Sequence, residues 1–313
     1  MEQRVRGKRV SWAAAAGIGL VGDLVLGEPP PHLHPVALFG RAMAGLERRL
    51  YRDDRAHGVL HCVVGVGAAA GFGAVLDRLL GWRATVLAVS ACSAGRMLGD
   101  CALEVGAALE AGQLERAREL LPSLVGRDPR SLDEAEIARA VVESVAENSV
   151  DAMVAPVLWG AFAGAAGALG HRAANTLDAM VGHHNSRYER FGWASARTDD
   201  VAAWLPARLG VALVIVVRPW RSGPIVRAVR SQAGGHPSPN AGVIEAAFAC
   251  ALGVRLGGTS RYGDVVEIRP FLGEGRPAAT ADIARSVRLL RHVGYALTLG
   301  GLGLSTLRRR RRS

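Results

Sequence analysis

Two stretches of 19 residues without a charged side chain, Gly58 to Leu76 and Ala152 to Gly170, constrain this chain more than any motif in it. Each is near the length that carries an apolar helix across a bilayer. Shorter apolar candidates are Ala84 to Gly95, Val201 to Val217 with Arg208 inside it, and His292 to Leu307, which ends against an arginine tail. Hydrophobic residues make up 50% of the 313 positions while aromatics supply only 5% and Gly alone supplies 39. That Ala, Val, Leu and Gly content suits closely packed membrane helices better than an aromatic-rich soluble core. The expected fold class is therefore all-α, a polytopic helical membrane protein with about four or five membrane segments. Residues 1–313 are read as a single integral-membrane domain. Gly67-x-x-x-Gly71 and Gly160-x-x-x-Gly164 have the spacing of close helix contacts. No strand-like alternation runs far enough to predict a sheet.

Charge excludes whole classes of chemistry. Lys8, in a basic N-terminal stub, is the one lysine, so no P-loop, pyridoxal Schiff base, kinase-type strand lysine or Ser-x-x-Lys nucleophile exists in the interior. Any phosphate must be held by Arg, by backbone N–H groups or by a metal. The net charge of +10 is concentrated at the ends: Arg308 to Arg312 give +5 and the first nine residues give +3. Only +2 remains for everything between, which is no nucleic-acid footprint, and basic ends flanking apolar segments read as cytoplasmic anchors. Cys62, Cys92, Cys101 and Cys250 form no CxxC pair and read as small core residues. Asp23 interrupts the first apolar run and no cleavage site follows, so that run reads as a retained helix or anchor and not a signal peptide.

Polar segments separate the apolar ones. Residues 100–150 carry Glu and Arg at helical periodicity, broken at Pro122 and at Gly126 to Pro129, and read as a soluble helical insert. Residues 171–200 and 218–240, rich in Arg, His, Asn and Asp, read as site-forming loops.

Three constellations carry chemistry. Glu143, Glu147 and Asp151 recur every four residues, so on a helix all three lie on one side, drifting about 40° per step. Stacked acids repel unless a cation sits opposite, and magnesium suits such a place; a solvated acidic face pairing with Arg139 is the plain alternative. Next, His171 to Gly192 brings Arg172, Arg187 and Arg190, able to clamp phosphate or carboxylate, with Asn175 and Asp178 as i, i+3 neighbours and His183-His184 behind them. Ala196-Arg197-Thr198-Asp199-Asp200 and Pro206-Ala207-Arg208 follow. Third, His236-Pro237-Ser238-Pro239-Asn240 is a rigid turn before a helix that starts near Asn240, a favoured N-cap whose first-turn N–H groups could hold an anion. A weaker cluster, Gly22-Asp23 to Gly27-Glu28-Pro29 with His34-Pro35-Val36, closes the first apolar stretch.

Taken in order, these segments resemble the CobD/CbiB family of cobalamin-biosynthesis membrane proteins. The motifs are Gly-Asp-x-x-x-Gly-x-Pro with His-Pro-Val, Glu-Ser-x-x-Glu-Asn-x-x-Asp, Asn-Thr-Leu-Asp-x-Met-x-Gly with Arg-Tyr and Asp-Asp-x-x-x-x-x-Pro-Ala-Arg, and Ser-Pro-Asn-Ala-Gly with Glu245. The likeness spans roughly residues 20 to 265, with Ser149 and Ala152 where the family pattern leads one to expect Thr and Gly. It implies adenosylcobinamide-phosphate synthase activity: an ATP-dependent amide ligation of (R)-1-aminopropan-2-ol, or its O-phosphate, to a propionate carboxylate of adenosylcobyric acid, with magnesium. A carboxylate is a poor acyl donor, so such a ligase typically activates it as an acyl phosphate before the amine attacks. Chemistry assigns Glu143, Glu147 and Asp151 to metal, Arg172, Arg187 and Arg197 to phosphates with Asn175, Ser238 and Asn240 as further substrate contacts, and Asp178 or His184 to proton transfer. The rival class is a membrane transporter or binding protein for an anionic or corrinoid ligand. A third reading, a structural partner of other corrinoid enzymes, needs only polar surfaces, and self-association is compatible with each.

Topology adds a condition. A complete crossing by Ala152 to Gly170 would put the Glu143–Asp151 ladder and Asn175–Asp178 on opposite sides of the bilayer, which a shared site forbids. That segment is therefore expected to be re-entrant or buried in a bundle, broken by Pro156 and its glycines, with all motifs facing the cytoplasm, where ATP is.

Overall fold

A computed structural model of the chain describes residues 10–27, 34–126, 128–183, 185–262 and 265–310. The basic N-terminal stub, Glu28 and Pro29 of the first motif, and His184 lie outside the described residues. Twelve α-helices dominate what is described, and four of them, α1, α2, α3 and α7, open on side-chain caps. The Ser11 hydroxyl accepts from Ala14 N–H to open α1 (Trp12–Leu26), which stops at Gly27 with φ +71°. After α2 (Pro35–Leu50), Asp54 caps α3 (Arg55–Leu80) by accepting from His57 N–H, and Gly81, again at positive φ, ends it. Next come α4 (Trp82–Cys92), α5 (Gly95–Glu110), the short α6 (Leu114–Leu120), and α7 (Glu134–Ser149), the last opened by a reciprocal Asp133/Glu136 capping box. Then follow α8 (Ala155–Val181), α9 (Trp193–Val217), α10 (Ser222–Ser231), α11 (Ala241–Leu252) and α12 (Thr280–Arg310).

Among the described residues four helical stretches are long and apolar enough to cross a membrane: Arg55–Leu80, Trp82–Glu110, Glu134–Val181 and Trp193–Val217. The chain is a polytopic helical membrane protein, as the charge-free stretches indicate. One departure is a small sheet: β1 (Val254–Tyr262) pairs antiparallel with β2 (Val265–Leu272) and parallel with the two-residue β3 (Arg276–Pro277). Its first strand is interrupted by Gly257 and Gly258, both at positive φ, and this bulge hides the alternation that would have betrayed a strand.

The longest apolar stretch does not run straight. As one helix its 48 residues would extend about 72 Å, and Asp151 and Asn175 would stand about 36 Å apart. Instead the Asn175 amide donates to the Asp151 carboxylate at 3.1 Å. The reversal is at Ala163–Gly164, where Gly164 adopts φ +65°, ψ −148°, outside helical space. Asp77, near the end of α3, closes the turn: its two carboxylate oxygens accept from the N–H groups of Ala165 and Ala166, capping the returning arm of α8. The expected break at Pro156 is not there, because a proline in the first turn of α8 is tolerated.

Packing revises two further expectations. Gly67 and Gly71 face open space, while Gly65 packs on Met43 and Leu177 and Gly73 on the backbone of Ala165 and Ala166. Close approach of α3 and α8 thus uses other glycines of the same helix. The stretch 100–150, expected as a soluble helical insert, is helical, and α5, α6 and α7 bury Ala102, Val105, Ala117, Ile137, Val141 and Val145 completely in the central core. Likewise residues 171–200 are not loops throughout, since α8 and α9 take all but the link between them.

Candidate functional site

Where α7 meets α8, residues Val150–Val154 form one π-helical turn, a local widening that is common beside functional sites. It places Glu147 and Asp151 on the wall of a cavity of about 330 Å³. The returning arm of α8 contributes Asn175 and Asp178, the start of α9 adds Asp199 and Asp200, and the turn before α11 closes it with Pro237 to Ala241. Five carboxylates from three chain segments thus share one wall, and no Arg or His lines it among the described residues. Asn175 stands at the centre, since its amide donates to Asp151 and also hydrogen-bonds Asp199. One oxygen each of Asp151 and Asp199 is buried with no hydrogen-bond partner among the described residues. Gly182 lines the cavity beside Asp178, and a Cβ there would overlap the Asp178 carboxylate, so this position needs a glycine for approach and not for its φ.

The predicted ladder divides. Glu147 and Asp151 face the cavity, but Glu143 is buried against β1, where its carboxylate accepts from Gly257 N–H at 2.8 Å. Arg139, one turn earlier, donates to the carbonyls of Gly257 and Thr259, so this end of α7 fastens the bulged strand. The arginines divide as well. Arg172 contacts Asn175 Oδ1 at 3.4 Å and lines a neighbouring apolar cavity of about 280 Å³ between α2, α3, α4 and α8. Arg197 lies 3.7 Å from Asp200 but lines a separate apolar cavity between α3, α8 and α9, not the carboxylate wall. Arg187 is not brought to the cavity: it bonds Glu47 at 3.1 Å and lies 4.2 Å over the Tyr51 ring. Hydrogen bonds with Tyr188 and Glu47 hold its guanidinium above its ordinary pKa, as expected of a structural anchor.

The turn before α11 also differs from expectation. Asn240 does not cap the helix with its side chain; Ser238 does, its hydroxyl accepting from the N–H groups of Asn240 and Ala241. Asn240 instead accepts from Arg208 at 2.7 Å and donates to the Asp200 carbonyl at 2.8 Å, locking α9 to the turn at the cavity wall. Two first-turn N–H groups are therefore already engaged, which weakens this helix end as an anion site. Asp23, from the first motif, serves as a remote cap: it accepts from Gly95 N–H at 2.9 Å where α5 begins. Asp199 and Asp200, part of the motifs but given no role there, are the wall residues missing from the expected site, although acids inside an apolar helix are themselves a signal for a site.

The donor set bears on magnesium. Among the described residues no three acid, His or Cys side chains converge closely enough to ligate one ion by themselves. Magnesium does not require that, because it keeps several waters and takes one or two carboxylates with substrate oxygens. A carboxylate-rich wall without Arg or His, and with one unpartnered oxygen each on Asp151 and Asp199 among the described residues, fits such an ion.

Fold and cavity together define a polytopic helical membrane protein with a carboxylate-lined cavity between its helices. Residues 16–290 match the family model described as CobD/Cbib protein, and the chain belongs to that family. The cobalamin biosynthesis protein CobD of Mycobacterium tuberculosis is 50% identical over 283 residues, covering 88% of this chain and 90% of the relative. The proteins of the same name from Klebsiella pneumoniae, 41% identical over 86% of this chain and 89% of the relative, and Pelobacter propionicus, 40% identical over 90% of each, are similar across the same extent. No solved structure matches.

Proposed function

We propose that this chain acts in cobalamin biosynthesis as an adenosylcobinamide-phosphate synthase, joining (R)-1-aminopropan-2-ol or its O-phosphate to a propionate carboxylate of adenosylcobyric acid at the expense of ATP. The observation that carries the reading is the meeting of Glu147, Asp151, Asn175, Asp178 and Asp199 on one cavity, from segments up to 52 residues apart in sequence. An amide ligase must hold polyanionic phosphates without lysine and must accept a proton from its amine.

Glu147 and Asp151 would hold magnesium, which when bound neutralises phosphate oxygens. Asn175 fixes the Asp151 carboxylate and keeps the returning arm of α8 in register with α9. Arg172 on one side, next to Asn175, and Arg197, next to Asp200, are the nearest cationic contacts for phosphate or propionate that the wall itself lacks. Asp178 is the acceptor we assign to the proton of the attacking amine, because Gly182 leaves it room against the cavity. Ser238 and Asn240 act by shaping the wall. Because α8 folds back at Gly164, the two halves of the site share one side of the membrane, and the cytoplasm is the side that holds ATP.

Purified protein in detergent, given ATP, magnesium and both organic substrates, is expected to release ADP and form the amide, and to stop when a chelator removes the metal. Turnover without a sealed membrane excludes transport as the sole function. Binding of the corrinoid with no amide formed under these conditions contradicts the ligase reading and favours a binding or transport protein.

A further inference from the structure

Between Asp200 and Glu245 the chain carries five arginines and not one acid. One of them, Arg208, is engaged with Asn240 and the Pro239 carbonyl. Another, Arg218, contacts His292 at 3.1 Å and lies 5.7 Å over the Trp220 ring. The remaining three, Arg221, Arg227 and Arg230, belong to α10 and the turn leading into it. All three are exposed, and none pairs with a carboxylate among the described residues. The helix is amphipathic: Ile225 and Ala228 are buried, whereas the opposite face shows the three arginines, Val226 and the serines at either end. A shallow groove lined by Ser222, Gly223, Val226, Arg227, Arg230 and Ser231 runs along that face. Immediately before it stand Val216, 66% exposed at the end of the apolar α9, and Trp220, 71% exposed. An apolar helix end, an exposed Trp and then a basic amphipathic helix is the order met on leaving hydrocarbon for the headgroup layer.

We propose that α10 lies in the membrane interface, with Arg221, Arg227 and Arg230 seated on the phosphates of anionic phospholipids. Charge complementarity and continuity with the lipid-facing end of α9 select that occupant, since unpaired arginines beside exposed Trp and Val match a surface that is anionic above and apolar below. The contact reaches the cavity: α10 passes through Ala233–Gly235 directly into the His236–Asn240 turn, whose Ser238 and Asn240 line the wall. Anchoring α10 therefore steadies that wall. The inference does not rest on the reaction proposed above.

The test is hydrogen exchange of the full chain in bilayer nanodiscs made of phosphatidylcholine alone or with about a third phosphatidylglycerol, a typical anionic content for such discs. Backbone exchange across α10 is expected to slow by at least about fivefold in the anionic bilayer, roughly what one arginine at such a surface contributes, and to speed up again with added salt. Helix α6, whose arginines pair with Glu115 and Glu119, should exchange equally in both bilayers. In the variant Arg221→Gln, Arg227→Gln, Arg230→Gln the lipid dependence should vanish with the fold intact, as the three side chains hold no structural ion pair. Equal exchange of wild-type α10 in the two bilayers overturns the proposal, as does slowing that persists in the variant. Slowing in pure phosphatidylcholine on adding inorganic phosphate would assign the arginines to a soluble anion instead. Slowing only with added RNA would equally contradict a lipid surface.

Discussion

Glu143 and Glu147 sit one helical turn apart in the same motif, and their surroundings give them different work. Glu143 accepts a buried hydrogen bond from Gly257 N–H, so truncation leaves that donor unsatisfied. Glu143→Ala should cost about 1–3 kcal/mol, seen as a lowered melting temperature in detergent, whereas Glu143→Gln keeps an acceptor and should retain most activity. A Gln variant as inactive as one lacking a metal ligand would return Glu143 to the cavity. From sequence the ladder's common side was legible, because period four fixes it. Its division was not: which acid meets a strand and which meets a cavity depends on what packs opposite, and Gly257 lies 114 residues further on. Asn175 and Asp178 were legible for the opposite reason, since i, i+3 spacing and the surrounding polar density are local. Arg187 misled, because an arginine suited to phosphate is equally suited to Glu47 and a Tyr ring.

Among the elements, the folded-back α8 does most to create the site. The requirement that two motifs share one side of a membrane predicted a break, but proline was the wrong marker. The turn needs positive φ and an N-cap, which Gly164 and the remote Asp77 provide. Gly164→Ala should destabilise by about 1–3 kcal/mol, through its backbone angle and through overlap with the Asp77 carboxylate. Gly71→Ala, facing open space in α3, should be neutral or slightly stabilising. Thermal unfolding of the two variants side by side checks this, and equal effects would mean that the reversal is not held by Gly164. A second element gives a pH signature. Asp282, in the first turn of α12, is fully buried, which alone would raise its pKa, but hydrogen bonds from Arg276, Ala279 N–H and Arg285 hold it below the ordinary carboxylate value. A carboxyl with its folded pKa depressed stabilises the fold above its unfolded pKa of about 4, and that stability is lost as pH falls through the lower folded value. Wild type should thus lose stability as pH falls below about 4 more steeply than Asp282→Asn, which should be the less stable of the two at neutral pH. Parallel pH profiles would contradict this linkage.

For the whole molecule, the apolar stretches and the single lysine made the class legible, since hydrocarbon thickness and charge leave few alternatives. The small sheet escaped because its bulged glycines break the alternation, and the burial of α5 and α7 escaped because polar periodicity does not say how much of a helix is covered. What the assembled molecule offers is one acidic cavity, built from α7 and its π turn, the returning arm of α8, the start of α9 and the turn before α11. The central claim is that this cavity is where a magnesium-dependent amide bond is made. It is tested most directly by ADP release and amide formation in Glu147→Gln beside Glu110→Gln, an exposed acid at the end of α5 away from the cavity. Glu147→Gln keeps size and hydrogen bonding but removes a charge that attracts the metal, so turnover should fall by on the order of a hundredfold or more, partly recovered by excess magnesium, while Glu110→Gln stays at wild-type level. Equal activity in the two variants would contradict the claim, since an acid that only adds to a repelling helix face costs no more than a few tenths of a kcal/mol.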